Sequence, residues 1–126
     1  MIGLQAQRRQ KHKPKLNIPA YTHGRKTYIA VDFDGTLCES EWPNIGMAKR
    51  DMIDALLELQ ERGAVIILWT CREGKLLDQA VEWLAKQGLK PDYINDNAEY
   101  LVKKWGSNTR KVGADYYIDD RSRWLE

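Results

Sequence analysis

The chain has 126 residues, of which 43% are apolar and 30% are charged, and its net charge is +2. This length suits a single domain, and the longest apolar run, residues 64–69, is far too short to cross a bilayer. The composition therefore excludes a membrane-spanning protein, and the lack of a long apolar stretch near the N-terminus predicts a cytoplasmic one. Cys38 and Cys71 form no CxxC pair, so we expect two reduced thiols.

Residues 1–24 are predicted to form a basic, extended or mobile N-terminal arm. Seven basic residues precede the first acidic residue, Asp32, which leaves 13 basic against 18 acidic residues in the rest of the chain. Pro14 and Pro19 interrupt the arm, and apolar periodicity is weak there. Nucleic acid, an acidic surface of another protein and the acidic body of this protein are the candidate partners for such a charge pattern. A solvated tail without a dedicated partner is the plainer interpretation.

The regular pattern begins at residues 27–33, a β-branched and aromatic run that predicts a strand. Apolar residues at helical spacing predict a helix over residues 47–61, and the continuous apolar run at residues 64–69 predicts a buried strand. A second helical face spans residues 76–84. The remaining segments are interpreted as a strand at Tyr93 and Ile94, a short helix over residues 98–105 and a last strand over residues 115–118.

This alternation of strands and helices predicts an α/β fold with a central parallel sheet between helices. Residues 27–126 are assigned to this domain, which we expect to be Rossmann-like with three layers. In such sheets ligands bind beyond the carboxyl ends of the strands. The acidic residues of the chain are concentrated at these predicted ends.

Four carboxylates and one hydroxyl stand at the ends of the predicted strands: Asp32 and Asp34 end the first, Thr70 ends the second, and Asp119 and Asp120 end the last. Carboxylates that converge on one sheet edge repel one another and raise their own pKa values unless a cation neutralises them. Oxygen ligands without a His or Cys cluster favour Mg²⁺ over Zn²⁺. The sequence therefore predicts a magnesium site.

Thr70 and Lys111 each have an alternative interpretation. Thr70 and Glu73 also have the spacing of a capping box, so the Thr70 hydroxyl could cap the helix that begins near Gly74. Lys111, shortly before the last strand, supplies a positive charge for the same edge, and Lys90 competes for that role.

Taken together, "DFDGTL" at residues 32–37, "ILWT" at 67–70, Lys111 and "YYIDD" at 116–120 resemble, in order, the four motifs of the haloacid dehalogenase-like (HAD) hydrolase superfamily. The resemblance covers residues 27–123. "WPNIG" at 42–46 and "WTCREG" at 69–74 are similar to a subgroup of small bacterial and phage HAD proteins, most of which have no assigned substrate.

The resemblance implies a phosphatase. Asp32 is then the nucleophile that forms an aspartyl-phosphate, and Asp34 is the acid and base that protonates the leaving oxygen and activates water. Thr70 and Lys111 hold the transferring phosphoryl group.

The same resemblance implies Mg²⁺ as the cofactor. Its ligands are Asp32, the backbone carbonyl of Asp34, and one or both of Asp119 and Asp120.

Five further residues are predicted to contact substrate. Trp42 could stack on a base or sugar, although ordinary packing is the commoner role of such a residue. Arg72 could bind a phosphate or pair with acidic neighbours. Gly35, Thr36 and Cys71 adjoin the motif residues and complete the set. Residue 77, six beyond Cys71, is leucine, which excludes the C-x5-R motif of cysteine phosphatases.

Neither gap between the motifs is long enough for a cap domain, so the resemblance implies an open site. An open site suits a large substrate, such as a nucleic-acid end, or a neighbouring subunit that acts as a lid, which would make the protein a homo-oligomer. A nucleotide, a sugar phosphate and a phosphoprotein are further candidates. Receiver domains use similar residues, but their acidic pair comes first and their phospho-accepting aspartate lies mid-chain. A receiver-like switch and a non-catalytic binding protein are the alternatives.

Overall fold

The computed structural model describes residues 16–108 and 112–121. Within these ranges no helix is long and apolar enough to cross a membrane. The elements in chain order are β1 (Tyr21–Thr22), β2 (Arg25–Lys26), β3 (Tyr28–Val31), β4 (Cys38–Glu41), β5 (Asn44–Ala48), α1 (Arg50–Glu61), β6 (Val65–Leu68), α2 (Gly74–Lys86), β7 (Tyr93–Ile94), α3 (Glu99–Trp105) and β8 (Tyr116–Ile118).

A four-stranded parallel sheet organises the molecule, with the strand order β7-β6-β3-β8. Strand β3 is central and pairs with β6 on one side and with β8 on the other. Its sequence and that of β6 are apolar throughout because both faces of these strands are covered. The predicted α/β fold with a parallel sheet is confirmed.

Helices α1 and α2 pack against one face of the sheet. Buried residues at helical spacing, including Ile53 and Leu56 in α1 and Leu84 in α2, form one apolar cluster with Val31 and Leu68. Alternate strand residues face the other way, where Ala30 and Ile67 form a second cluster with Val112. The two helices end shortly before Gly63 and Gly88, as the sequence predicts.

The segment between β3 and α1 differs from the prediction. The helix predicted over residues 47–61 begins only at Arg50, because Met47 and Ala48 belong to strand β5, which pairs antiparallel with β4. The backbone N–H of Lys49 also donates to the carbonyl of Leu37, 2.9 Å away, and this bond closes the base of the hairpin. Strands β4 and β5 thus form a hairpin directly after the "DFDGTL" motif.

The described part of the predicted arm packs on the domain. Leu16 and Ile18 are buried in the larger apolar cluster. Arg25 forms two hydrogen bonds of 2.9 Å with Asp115, which also accepts the N–H of Tyr28. These bonds fasten the β1–β2 hairpin to the starts of β3 and β8. Residues 1–15, with five of the seven basic side chains, lie outside the described residues.

Candidate active site

The residues that follow β3, β6 and β8 lie at one edge of the sheet. The backbone N–H of Asp32 donates to the carbonyl of Ile118 at 2.9 Å, and that of Trp69 donates to the carbonyl of Val31 at 2.8 Å. Because the three strands are adjacent and parallel, their carboxyl ends bring Asp32, Thr70 and Asp119 to the same place. An open cleft of about 350 Å³ occupies this edge and is lined by Asp32, Trp69, Thr70, Cys71, Asp119, Asp120 and Arg121.

Asp32 lines this cleft and is half-buried. Its carboxylate accepts the backbone N–H of Phe33 at 2.8 Å. Burial raises the pKa of Asp32 above its usual value, and the negative charges of Asp120, Asp34 and Asp119 raise it further, whereas the Phe33 hydrogen bond opposes them. A bound cation would stabilise the ionised form of a carboxylate in this position.

Asp34 is held by Arg72 through a two-pronged ion pair. The Nε of Arg72 donates to Oδ2 of Asp34 at 2.9 Å, and its Nη2 donates to Oδ1 at 2.8 Å. The Arg72 side chain is fully buried, and its hydrogen bonds to Asp34 raise the pKa of Arg72. Of the two roles predicted for Arg72, the structure places it in the ion pair with an acidic neighbour.

The same guanidinium also holds the β4–β5 hairpin. It donates to the backbone carbonyls of Pro43 and Asn44 at 3.1 and 3.0 Å. Its carbon lies 5.1 Å from the centroid of the Phe33 ring and 5.0 Å from that of the Trp42 ring. Arg72 therefore joins the loop after β3, the hairpin turn and the loop after β6.

Thr70 is positioned by the loop after β6. Its hydroxyl accepts the backbone N–H of Arg72 at 3.1 Å, and its own N–H donates to the side-chain oxygen of Asn95 at 2.8 Å. Glu73 is the residue before α2, and within the described chain no side chain caps that helix. The capping-box interpretation of Thr70 is therefore wrong, and Thr70 lines the cleft.

Gly35 allows Asp120 to approach the loop after β3. Its φ is +81°, and a Cβ atom built there would lie 3.0 Å from Cβ and 3.1 Å from Oδ2 of Asp120. Only a residue without a side chain adopts this backbone conformation freely and leaves room for the carboxylate.

Replacement of Gly35 by alanine is expected to destabilise the fold by about 2–3 kcal/mol, because strain at positive φ adds to a clash with Asp120. Urea unfolding measures this loss. The matched control is Gly24→Ala, since Gly24 has φ +76° but no atom within 4 Å of the place that a Cβ would take, and we expect a loss of only about 1 kcal/mol there. Equal losses of stability in the two variants would mean that a methyl group at position 35 does not clash with Asp120.

The other predicted substrate-binding residues take different positions. Cys71 is exposed in the cleft wall. Thr36 is buried, and its hydroxyl meets no hydrogen-bond partner among the described residues. Trp42 packs on Arg72 while 56% of its surface remains exposed. Lys111 lies outside the described residues. Lys90 is exposed shortly before β7, toward the amino ends of the strands and away from the cleft.

Sequence reasoning missed three residues of this edge. Trp69 and Arg121 line the cleft, and Asn95 fixes the backbone of Thr70. Trp69 lies inside the quoted "ILWT" motif, directly before Thr70, and Arg121 directly follows Asp120, so these positions are the signal that could have identified both residues. Asn95, which has φ +50°, follows β7, so only the sheet order brings it beside Thr70.

The oxygen atoms at this edge can be tested against the predicted cofactor. Among the described residues, no three His, Cys, Asp or Glu side chains are grouped so as to hold a metal ion by themselves. Mg²⁺ needs fewer, because it binds through one or two carboxylates together with waters and substrate phosphates. Asp32 with Asp119 or Asp120 offers such a donor set, and their mutual repulsion is relieved by a cation. The residues present fit Mg²⁺.

Comparison with known proteins identifies a relative among solved structures. No protein-family model and no curated protein matches the chain. A solved structure of a conserved protein from Bacteroides thetaiotaomicron is similar to it, with 40% sequence identity and a TM-score of 0.68, over 76% of this chain and 77% of that chain. With this identity and coverage, the chain belongs to the same family as that conserved Bacteroides protein.

Proposed function

We propose that this chain is a Mg²⁺-dependent phosphatase of the HAD superfamily, which hydrolyses phosphate monoesters through an aspartyl-phosphate on Asp32. The observation that carries the proposal is the meeting of Asp32, Thr70 and the acidic pair Asp119 and Asp120 around one cleft. Phosphoryl transfer is catalysed mainly by positioning and by charge, which this set of groups supplies.

The order of the strands supports a Rossmann-like fold for the proposed enzyme. Counted along the chain, the four parallel strands lie in the order third, second, first, fourth. The doubly wound dinucleotide-binding order begins in this way, whereas receiver domains place the second strand beside the first and the first beside the third. Helices α1 and α2 pack on one face, and Tyr100 of α3 stacks on Tyr28 at 6.0 Å on the other, which supports three layers.

In the proposed reaction, a carboxylate oxygen of Asp32 attacks phosphorus as the bond to the leaving oxygen breaks. Asp34 enters this step in its protonated form, gives that oxygen its proton and becomes the carboxylate that pairs with Arg72. Asp34 then takes a proton from water, which attacks the aspartyl-phosphate, releases phosphate and restores Asp32. The Arg72 fork uses two of the roughly four lone-pair positions on the Asp34 carboxylate, which leaves others for the proton.

The metal site of the proposed enzyme uses Asp32 together with Asp119 or Asp120. When bound, Mg²⁺ neutralises the repulsion between a carboxylate nucleophile and an anionic substrate. Thr70 offers its hydroxyl to the phosphoryl oxygens from the neighbouring strand end.

A phosphate-release screen tests the function. Nucleotides, sugar phosphates, a phosphorylated oligonucleotide and a phosphoprotein are each incubated with the protein and Mg²⁺, with Asp32→Asn as the blank. We expect release from at least one class, and we expect EDTA to abolish it and added Mg²⁺ to restore it, because the uncompensated carboxylates repel the substrate. Turnover unaffected by EDTA would contradict the metal-dependent mechanism.

Two other results identify the alternatives. A phosphorylated Asp32 that persists without phosphate release indicates a receiver-like switch. Binding of a phosphorylated molecule without covalent modification or release indicates a binding protein.

A further inference from the structure

The wall of the cleft contains an exposed indole that the proposed chemistry does not use. Trp69 lies between β6 and Thr70, and 40% of its surface is exposed. It lines the same cleft as Asp32 and Asp119, so it faces whatever group is attached to a phosphate at these residues. A large apolar surface left in contact with water beside a catalytic group is a candidate binding surface.

The indole rests on a fixed support. Its ring meets the ring of Tyr117 edge to face, with centroids 5.5 Å apart and an interplanar angle of 67°. The hydroxyl of Tyr117 donates to the carbonyl of Val112 at 2.6 Å and accepts the N–H of Ala114 at 3.1 Å. Because the Tyr117 hydroxyl is fixed by these two bonds and its side chain packs against the apolar cluster of Ala30, Ile67 and Val112, Trp69 presents a rigid wall that loses little conformational entropy when a ligand packs on it.

We infer that Trp69 is a specificity-determining residue, which stacks on a planar aromatic group carried by the substrate. The inference rests on the proposed function and narrows its substrate to phosphate esters with such a group, of which nucleoside monophosphates are the chemical class. Every nucleobase has a π-face, so stacking on Trp69 favours nucleotides without choosing between bases.

The test compares two substrates that share one phosphate ester. Adenosine 5′-monophosphate and ribose 5-phosphate have the same reacting group, and only the first carries a base. With Trp69→Ala, we expect kcat/KM for adenosine monophosphate to fall about tenfold or more and that for ribose 5-phosphate to stay nearly unchanged. Trp69→Phe keeps an aromatic face, so we expect it to retain most of the kcat/KM that the parent protein has for adenosine monophosphate.

Tyr100→Ala is the matched control, because Tyr100 is similarly exposed, at 44%, but stacks on Tyr28 and is not among the residues that line the acidic cleft. It is expected to leave both substrates unaffected. Equal changes for the two substrates in Trp69→Ala would overturn the inference, as would the absence of any change, while the phosphatase activity itself stands.

A binding measurement separates the inference from the proposed function. Calorimetric titration of Asp32→Asn protein with adenosine monophosphate and ribose 5-phosphate requires no turnover. We expect the nucleotide to bind about tenfold or more tightly than the sugar phosphate, and this preference to disappear when Trp69→Ala is added. If this preference is found while the parent protein, with Asp32 intact, releases no phosphate from any substrate, the phosphatase is overturned and Trp69 remains as the stacking residue of a nucleotide-binding site. Equal affinities would overturn the inference.

Discussion

Asp32→Asn is expected to abolish phosphate release, with a fall in kcat of at least about four orders of magnitude, because an amide is too poor a nucleophile to form the aspartyl-phosphate. The Asp32 side chain lines the cleft, and the exchange for asparagine preserves its shape and its capacity to accept the Phe33 N–H. Steady-state assays with the best substrate of the screen measure the loss, and circular dichroism checks that the variant folds.

The comparison variant for this experiment is Asp34→Asn. It removes the acid and base but keeps the nucleophile, so we expect slower turnover and accumulation of phosphorylated Asp32, detectable by rapid quenching and mass spectrometry. An Asp32→Asn protein as active as the parent, in a preparation free of contaminating phosphatase, would remove Asp32 from the mechanism.

Arg72→Met is expected to lower the free energy of unfolding by about 3 kcal/mol, because it leaves the Asp34 carboxylate without its partner. This value is at the lower end of the usual cost of breaking a buried ion pair, since 21% of the Asp34 side chain is exposed. The carbonyls of Pro43 and Asn44 lose their donors as well. Urea unfolding measures the change.

A matched control and a double variant locate the source of that loss. Arg62 forms only an exposed, 4.0 Å pair with Glu58, so Arg62→Met is expected to cost less than about 0.5 kcal/mol. In Arg72→Met combined with Asp34→Asn, the neutral side chain no longer needs a partner, and we expect part of the stability to return. Equal losses in the free energy of unfolding for Arg72→Met and Arg62→Met would show that the contacts of the Arg72 guanidinium with the three loops do not stabilise the fold.

The parallel sheet and its helices could be predicted because their sequences contain periodic information. Continuous apolar runs identify β3 and β6, and helical spacing with a terminal glycine identifies α1 and α2. Parallel sheets bind ligands at the carboxyl ends of their strands, and this rule predicts that the acidic residues at the strand ends form one site.

The β4–β5 hairpin could not be predicted in the same way. Its two strands, "CESE" and "NIGMA", are mostly polar or exposed and form a separate two-stranded sheet, so no face of the hairpin is buried regularly enough to create an alternating pattern. Met47 and Ala48 continue the apolar spacing of α1, which extends the predicted helix into the hairpin.

The burial and the partners of Arg72 could not be predicted from the residues next to it in the sequence either. An arginine is almost never fully buried unless it is paired, and its partners come from two other segments, Asp34 and the carbonyls of the hairpin turn. Sequence spacing cannot show that these groups converge. The apolar pattern likewise makes Trp69 the end of a buried run, since only the fold reveals that the strand ends before it.

The pairing of β3 with β8 makes completion of the site a late event in synthesis. Ile29 pairs with Tyr116, so β3 can complete its pairing only after the ribosome has synthesised β8, and Asp119 and Asp120 directly follow β8. At ribosomal rates the interval is on the order of ten seconds, during which one edge of β3 lacks its partner. Strand β6 emerges first and can pair with the other edge. A nascent chain can thus bury much of its core while it still cannot assemble the acidic cleft.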